Sequence, residues 1–307
     1  MMSKKKVFIA LDIQDIAKEL LKKAGFSVSV WSRERPMTQA ELIAEVQSYD
    51  ALLCTSVDQL DAHFLNACKH LEIISQFAAG YNNIDINEAT RLGIPIGYAP
   101  GAMNDATADT AFGLMIAASR KMFYLHKTIE KGEWGYFKPK ANLGIELKYK
   151  TLGVYGLGRI GLEMAKRCKG AYNMQIIYHN RHPNVEAEQL LGAKLVTFEE
   201  LLAQSDVISV HTALNETTKG IFNKAAFARM KPSAIFINTA RGGIHQEADL
   251  IEALRAGVIW GAGLDVTNPE PTAADNPLLF MENVAVLPHI GSATVEARNE
   301  MARLAAL

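Results

Sequence analysis

The sequence predicts an α/β protein in which each of two domains holds a parallel β-sheet covered by helices. The chain has 307 residues, which is long for a single core and suits two domains of ordinary size. Short apolar runs alternate with helical patterns, a rhythm typical of parallel sheets. A glycine-rich turn, Gly156 to Gly161, joins one apolar run to a helical pattern near the middle of the chain.

Composition is that of an ordinary globular protein. Hydrophobic residues make up 49% of the chain and charged residues 21%, with a net charge of -1. Overall charge therefore predicts neither a nucleic acid nor a membrane partner. The first apolar run is short and is followed by Asp12 and Asp15, unlike a secretory signal. Cys54, Cys68 and Cys168 are widely spaced in apolar patterns, which predicts reduced thiols and a cytoplasmic location.

The N-terminal part of the chain predicts the first sheet. Helical patterns separate apolar runs that predict strands at 7–10, 27–31, 51–54, 72–77 and 94–98. The strand ending at Phe77 opens into a small-residue loop, AAGYNNIDI (78–86). Open α/β sheets bind ligands at such an edge, where the N–H groups of Ala79 and Gly80 are available to an anion. The alternative is an ordinary turn into the next helix.

Asn104 to Lys121 predicts a long, weakly amphipathic helix that connects the domains. Its small residues and broad apolar surface also suit a contact between two copies of the chain. The polar stretch from Glu130 to Tyr149 then predicts an irregular arm. We interpret its aromatic residues as ordinary loop packing, with partner binding as the alternative.

The segment TLGVYGLGRIG (151–161) places three glycines between a strand and a helix. Gly156 permits the tight turn, Gly158 lets the backbone approach a pyrophosphate, and Gly161 allows close packing of helix on strand. The helix N-terminus supplies N–H groups and the positive end of the helix dipole to the phosphates. The motif therefore predicts dinucleotide binding, with a purely structural turn as the alternative.

The next predicted strand, Gln175 to Tyr178, is followed by His179, Asn180 and Arg181. NAD-binding proteins usually carry an acid here for the adenosine ribose. Asn does not repel a 2′-phosphate and Arg can pair with one, so the sequence favours NADP over NAD, with NAD possible. The alternatives are that Arg181 and His182 only solvate a loop, or that His179 and His182 bind a metal, for which no further ligand lies nearby.

Four further apolar runs predict buried strands at 207–210, 234–238, 261–266 and 284–287. Polar residues follow their C-terminal ends, where a cofactor bound across the sheet would be touched. The residues at these ends are His211, Thr212, Thr239, Arg241, Asp265 and His289, with the apolar Ala240 among them.

Arg241, Glu270 and His289 suit the reduction of a 2-keto acid. Arg offers a planar fork to a carboxylate, and His can donate and recover a proton near neutral pH. Glu270 beside His289 would orient the ring and favour its charged form. Position alone leaves an alternative open for each residue, namely a surface, loop or core role.

Several segments, in the same order, resemble the D-isomer-specific 2-hydroxyacid dehydrogenase family, and within it glyoxylate/hydroxypyruvate reductases and glycerate dehydrogenases. They are AAGYNNIDI (78–86), DATADTAFGLMIAASR (105–120), GLGRIG (156–161), NTARGG (238–243), GLDVTNPEP (263–271) and LPHIGSAT (287–294). The resemblance implies that Arg241 binds substrate, that Glu270 and His289 are the catalytic pair, and that Ala79 and Gly80 bind the substrate carboxylate. It implies a cofactor set of Thr107, Gly156, Gly158, Arg159, Ile160, Gly161, Asn180, Arg181, His211, Thr212, Thr217, Thr239, Ala240, Arg241, Asp265, His289 and Ser292.

The resemblance also implies two Rossmann-like domains with a cleft between them. Residues 1–100 plus 289–307 would bind substrate, and residues 101–288 would bind NAD(P). The implied assembly is a homodimer with the helix near Ala106 to Arg120 at the contact. One departure is His245, near a position where the family usually has Asp or Asn, which leaves the capping of the next helix open.

The activity implied by the resemblance is NADPH-dependent reduction of glyoxylate or hydroxypyruvate to glycolate or D-glycerate, with His289 as the proton donor. Relatives that reduce 2-ketogluconate or other 2-keto acids share the same motifs. The alternative from another class is a dinucleotide-sensing binding protein similar to the corepressors of this family. No metal is expected.

Overall fold

The computed structural model describes residues 4–307, which divide into two compact units. Unit 1 holds the chain up to Met103 together with Ala293–Leu307, and unit 2 is Asn104–Ser292. The expected boundaries, after 100 and before 289, differ by a few residues. His289 lies in unit 2, because the carboxylate of Asp265 in that unit accepts hydrogen bonds from the N–H groups of Ile290 and Gly291.

Unit 1 contains a parallel five-stranded sheet of order β2-β1-β3-β4-β5. The strands are β1 (Lys6–Ile9), β2 (Ser27–Val30), β3 (Ala51–Cys54), β4 (Ile73–Gln76) and β5 (Ile96–Gly97). The helices are α1 (Asp15–Lys23), α2 (Gln39–Val46), α3 (Ala62–Ala67), α4 (Ile86–Leu92) and the C-terminal α12 (Val295–Ala305).

Successive side chains of the strands in unit 1 point to opposite faces of the sheet, so each face has its own apolar core. Val7 and Ile9 pack in one apolar cluster with residues of α1 and α12, whereas Phe8 packs in the other with residues of α2 and α3. The hydroxyl of Ser75 in β4 donates to the carbonyl oxygen of Ala305 at 2.7 Å. The C-terminal helix is thereby fixed to the sheet of unit 1.

Unit 2 contains a parallel seven-stranded sheet of order β12-β11-β10-β9-β6-β7-β8. The strands are β6 (Thr151–Tyr155), β7 (Gln175–His179), β8 (Lys194–Leu195), β9 (Val207–Val210), β10 (Ile235–Asn238), β11 (Gly261–Leu264) and β12 (Val284–Val286). The chain runs outward from β6 in one direction and from β9 in the other, so the strand order reverses between these neighbours. Open α/β sheets bind nucleotides at this switch point.

The helices of unit 2 are α5 (Asn104–Ser119), α6 (Met122–Glu130), α7 (Arg159–Tyr172), α8 (Val185–Leu191), α9 (Phe198–Gln204), α10 (Lys224–Phe227) and α11 (Glu247–Arg255). α5 is a core helix, since Ala108, Ala111, Leu114 and Met115 are buried in the same cluster as β6 and β10. Much of its apolar surface is therefore used within unit 2. The expected contact between two copies of the chain at this helix stays a prediction. The arm that follows α6 has neither helix nor strand up to Lys150.

All three cysteines are free and buried. In the described part of the chain, no helix combines the length and apolar character that crossing a membrane requires.

Candidate active site

The turn after β6 has the shape that a dinucleotide pyrophosphate needs. Gly156 has φ +94°, and a Cβ there would lie 2.9 Å from Thr212 N in the turn after β9. A Cβ on Gly161 would lie 2.8 Å from Gly156 O, so α7 packs tightly against the turn. Gly158 faces open space, and it precedes the first turn of α7, whose N–H groups have no acceptor within the helix. The predicted phosphate site is thus formed by backbone and fits a nicotinamide dinucleotide.

Asn180 and Arg181 occupy different environments. The Asn180 side chain accepts a hydrogen bond from Leu157 N at 2.7 Å and donates to Leu157 O at 3.1 Å, which fixes the glycine-rich turn. Arg181 follows β7 and is exposed. Of the two residues, Arg181 is therefore the one whose side chain is available to a 2′-phosphate. His179 stacks on Tyr155 and bonds through Nδ1 to Val196 O.

The other expected cofactor residues lie at the C-terminal edge of the same sheet or beside it. His211 is hydrogen-bonded to Ser209 at 2.8 Å, and burial lowers its pKa to about 4, so it is neutral at physiological pH. Thr239 is buried, and its Oγ1 has no hydrogen-bond partner among the described residues. Thr217 is exposed and bonds to Asn215, whereas Thr107 is buried and donates to Gly291 O at 3.0 Å.

The turn after β10 carries Arg241. Asn238, the last residue of the strand, accepts a hydrogen bond from Ala240 N and donates one to Arg241 O, both at 2.9 Å. A Cβ on Gly242 would lie 1.9 Å from Thr267 O, so glycine lets this turn touch the loop that leads to Glu270. Desolvation lowers the pKa of Arg241 while the charge of Glu270 raises it, and the guanidinium remains charged.

Glu270 and His289 form the pair that the sequence predicts. Glu270 Oε1 lies 2.5 Å from His289 Nδ1, and both side chains are about 40% exposed. Burial acts to raise the pKa of Glu270, but the hydrogen bond and charge of His289, helped by Arg241, lower it. Glu270 is therefore a carboxylate at neutral pH. It fixes the tautomer of His289 with Nδ1 facing the acid and Nε2 directed elsewhere.

The backbone of His289 is held by Asp265. His289 has φ +55°, a conformation that costs energy for a residue with a side chain. The buried Asp265 carboxylate offsets this cost by accepting from Ile290 N at 2.8 Å and Gly291 N at 2.7 Å. The sequence pattern predicts Asp265 only as a cofactor residue and does not reveal this supporting role. The signal was present, since an acid directly follows a buried strand.

Ala79 and Gly80 lie in the loop after β4 in unit 1. In the described chain their N–H groups donate to no other protein group. The buried Gln76 side chain donates to Gly80 O at 3.3 Å and to Asn83 Oδ1 at 3.0 Å. Asn83 in turn donates to Asp58 O at 2.7 Å. This buried network fixes the loop, and the sequence pattern alone predicts no role for Gln76 or Asn83.

A glycine-rich phosphate turn and a histidine–carboxylate pair at one edge of a Rossmann-like sheet define an oxidoreductase that uses a nicotinamide dinucleotide and a small-molecule substrate. The profile of the D-isomer specific 2-hydroxyacid dehydrogenase NAD binding domain matches residues 112–291. The chain belongs to this family of D-2-hydroxyacid dehydrogenases, as the sequence resemblance predicted.

Named relatives match nearly the full chain. It is 42% identical to a glyoxylate reductase of Thermococcus litoralis, over 99% of this chain and 92% of the relative. It is 43% identical to a D-3-phosphoglycerate dehydrogenase of Archaeoglobus fulgidus over 95% of its length, but spans only 54% of that protein. An NADPH-dependent glyoxylate/hydroxypyruvate reductase of Sinorhizobium meliloti, solved with NADP and malonate, shares 30% identity and a TM-score of 0.85, over 99% of this chain and 92% of that one.

Proposed function

We propose that this protein uses NADPH to reduce glyoxylate or hydroxypyruvate to glycolate or D-glycerate. The observation that carries the proposal is the Glu270–His289 pair, 2.5 Å apart, with the charge of Arg241 acting on the same carboxylate. A fixed cation, a proton donor and a carboxylate that orients the donor are the groups that reduction of a 2-keto acid requires. The similarity to glyoxylate reductases supports the choice of substrate.

The turn from Gly156 to Gly161 and the start of α7 would hold the dinucleotide, which would supply the hydride for the reduction. Arg241 binds the substrate carboxylate and polarises the carbonyl. Protonated His289 donates its Nε2 proton to the carbonyl oxygen as that oxygen gains charge. Glu270 stays ionised, holds Nδ1–H and stabilises the charged imidazole before transfer. The backbone N–H groups of Ala79 and Gly80 are proposed to bind the substrate carboxylate as well.

The preference for NADPH is proposed from the end of β7. Arg181 is exposed there and Asn180 carries no charge, so no carboxylate at these positions repels a 2′-phosphate. Arg181→Ala should weaken NADPH binding about tenfold and leave NADH binding unchanged. Arg255→Ala, which removes an exposed arginine at the end of α11, is the matched control. Equal dissociation constants for NADPH in wild type and Arg181→Ala would contradict the preference.

We further propose a homodimer, with the arm between Lys131 and Lys150 as part of its contact. Trp134, Tyr136 and Phe137 are 77%, 79% and 85% exposed, an unusual amount of exposed aromatic surface for one segment. Light scattering should give twice the chain mass for wild type. Replacing all three aromatic residues by serine should give the monomer mass. A monomeric wild type would overturn this proposal.

The activity is tested by following NADPH and NADH oxidation at about 340 nm with glyoxylate, hydroxypyruvate, pyruvate and 2-ketogluconate offered separately. The proposal predicts the highest kcat/KM with glyoxylate or hydroxypyruvate and NADPH. Preferred turnover of 2-ketogluconate would show that the substrate is a larger 2-keto acid than glyoxylate or hydroxypyruvate. No turnover of any of the four acids would count against the reductase.

A further inference from the structure

The side chain of Asn238 joins the end of β10 to the Arg241 turn and to His245. Its Oδ1 accepts from Ala240 N at 2.9 Å, while its Nδ2 donates to Arg241 O at 2.9 Å and to His245 Nδ1 at 3.1 Å. An amide nitrogen has two hydrogens, and both are used. The three partners therefore define one orientation of the Asn238 amide.

His245 can complete this arrangement only in one protonation state. Because Asn238 Nδ2 is a donor, His245 Nδ1 must accept, so a neutral ring carries its proton on Nε2. The ring is 1% exposed and lies edge-on to Phe236, and Nε2 has no partner among the described residues. A buried donor without a partner costs stability. The same His245 ring contacts Asn238, and Asn238 contacts the backbone of Arg241, so only one side chain separates His245 from Arg241.

We propose that His245, acting through Asn238, is a positioning residue for Arg241. The His245 acceptor holds one Nδ2 hydrogen of Asn238 and so leaves the other for Arg241 O, with Oδ1 facing Ala240 N. Loss of that acceptor leaves a buried N–H without a partner, and the amide can turn away from the Arg241 backbone to satisfy it. The inference rests on the proposed role of Arg241 in binding the substrate carboxylate.

Two variants separate positioning from simple packing. His245→Leu fills a comparable volume without an acceptor, whereas His245→Asn retains an acceptor close to the place of Nδ1. In His245→Leu the KM for the keto acid should rise about five- to tenfold, with a smaller change in kcat and an unchanged dissociation constant for NADPH. His245→Asn should restore KM. Leu202→Ala, a buried change elsewhere in unit 2, is the control for lost stability and should leave KM unchanged.

A second measurement does not depend on turnover. Hydrogen exchange of the Ala240 amide reports its bond to Asn238 Oδ1, and it should accelerate about tenfold in His245→Leu and return in His245→Asn. Unchanged exchange in His245→Leu, or failure of His245→Asn to restore KM, would overturn the inference. If wild type reduces no 2-keto acid, the proposed function fails, and the exchange rates still decide whether His245 fixes this turn.

Discussion

His245 should make the stability of unit 2 depend on pH in mildly acidic solution. Burial lowers the pKa of His245 to about 4, whereas an unfolded chain restores a value near 6.5. The unfolded state therefore binds the extra proton first as the pH falls. The contribution of neutral His245 to the free energy of unfolding is complete above about pH 6.5. It decreases as the pH falls towards 4 and changes no further below that value.

The magnitude follows from these two pKa values. From pH 7 to pH 5, the titration of His245 alone should lower the free energy of unfolding by about 2 kcal/mol. His245→Asn keeps the acceptor but does not titrate, so it should lack this loss. Other titrating groups cancel when the two proteins are compared.

Urea unfolding at pH 7 and pH 5, followed by tryptophan fluorescence, measures the effect. The wild-type midpoint should fall by roughly 1 M more than that of His245→Asn over this pH interval. The same decrease in both proteins would refute the reasoning, because it would mean that His245 titrates alike in the folded and unfolded states.

Two further substitutions test the contacts that hold Arg241 and His289 in place. Gly242→Ala places a Cβ 1.9 Å from Thr267 O, so the Arg241 turn must move; we expect a loss of about 1–3 kcal/mol and a lower kcat/KM. An unchanged melting temperature would show that the Arg241 turn can move without a loss of stability. Asp265→Asn should lower kcat at least tenfold, because Ile290 N and Gly291 N donate to different carboxylate oxygens and an amide keeps only one oxygen as acceptor. Wild-type kcat in this variant would argue against a supporting role for Asp265.

The sequence predicted the sheets well because buried parallel strands are short apolar runs. The runs at 51–54 and 207–210 match β3 and β9 residue for residue. The helix from Asn104 was also placed correctly, but the sequence did not show what its small residues pack against. Small residues such as Ala108 and Ala111 suit a surface contact and a tightly packed core equally well, and only the fold shows that α5 packs on β10 and β11.

At the site, sequence identified Glu270 and His289, which follow the ends of strands, and the structure joins them. It did not identify the residues that hold them. Asn238 and Asp265 act through backbone groups, and such contacts depend on the path of the chain rather than on spacing. The question of capping after His245 is settled by the fold. α11 begins after Gln246, whose side chain makes no capping bond, and His245 faces Asn238 instead.

His289 is the proposed proton donor in the reduction of a 2-keto acid. The most direct measurement is kcat for hydroxypyruvate reduction in His289→Gln, together with the dissociation constant for NADPH in the same protein. If His289 is the donor, kcat should fall by about a hundredfold or more while NADPH binding stays within about twofold of wild type. A variant that retains wild-type kcat would show that another group supplies the proton.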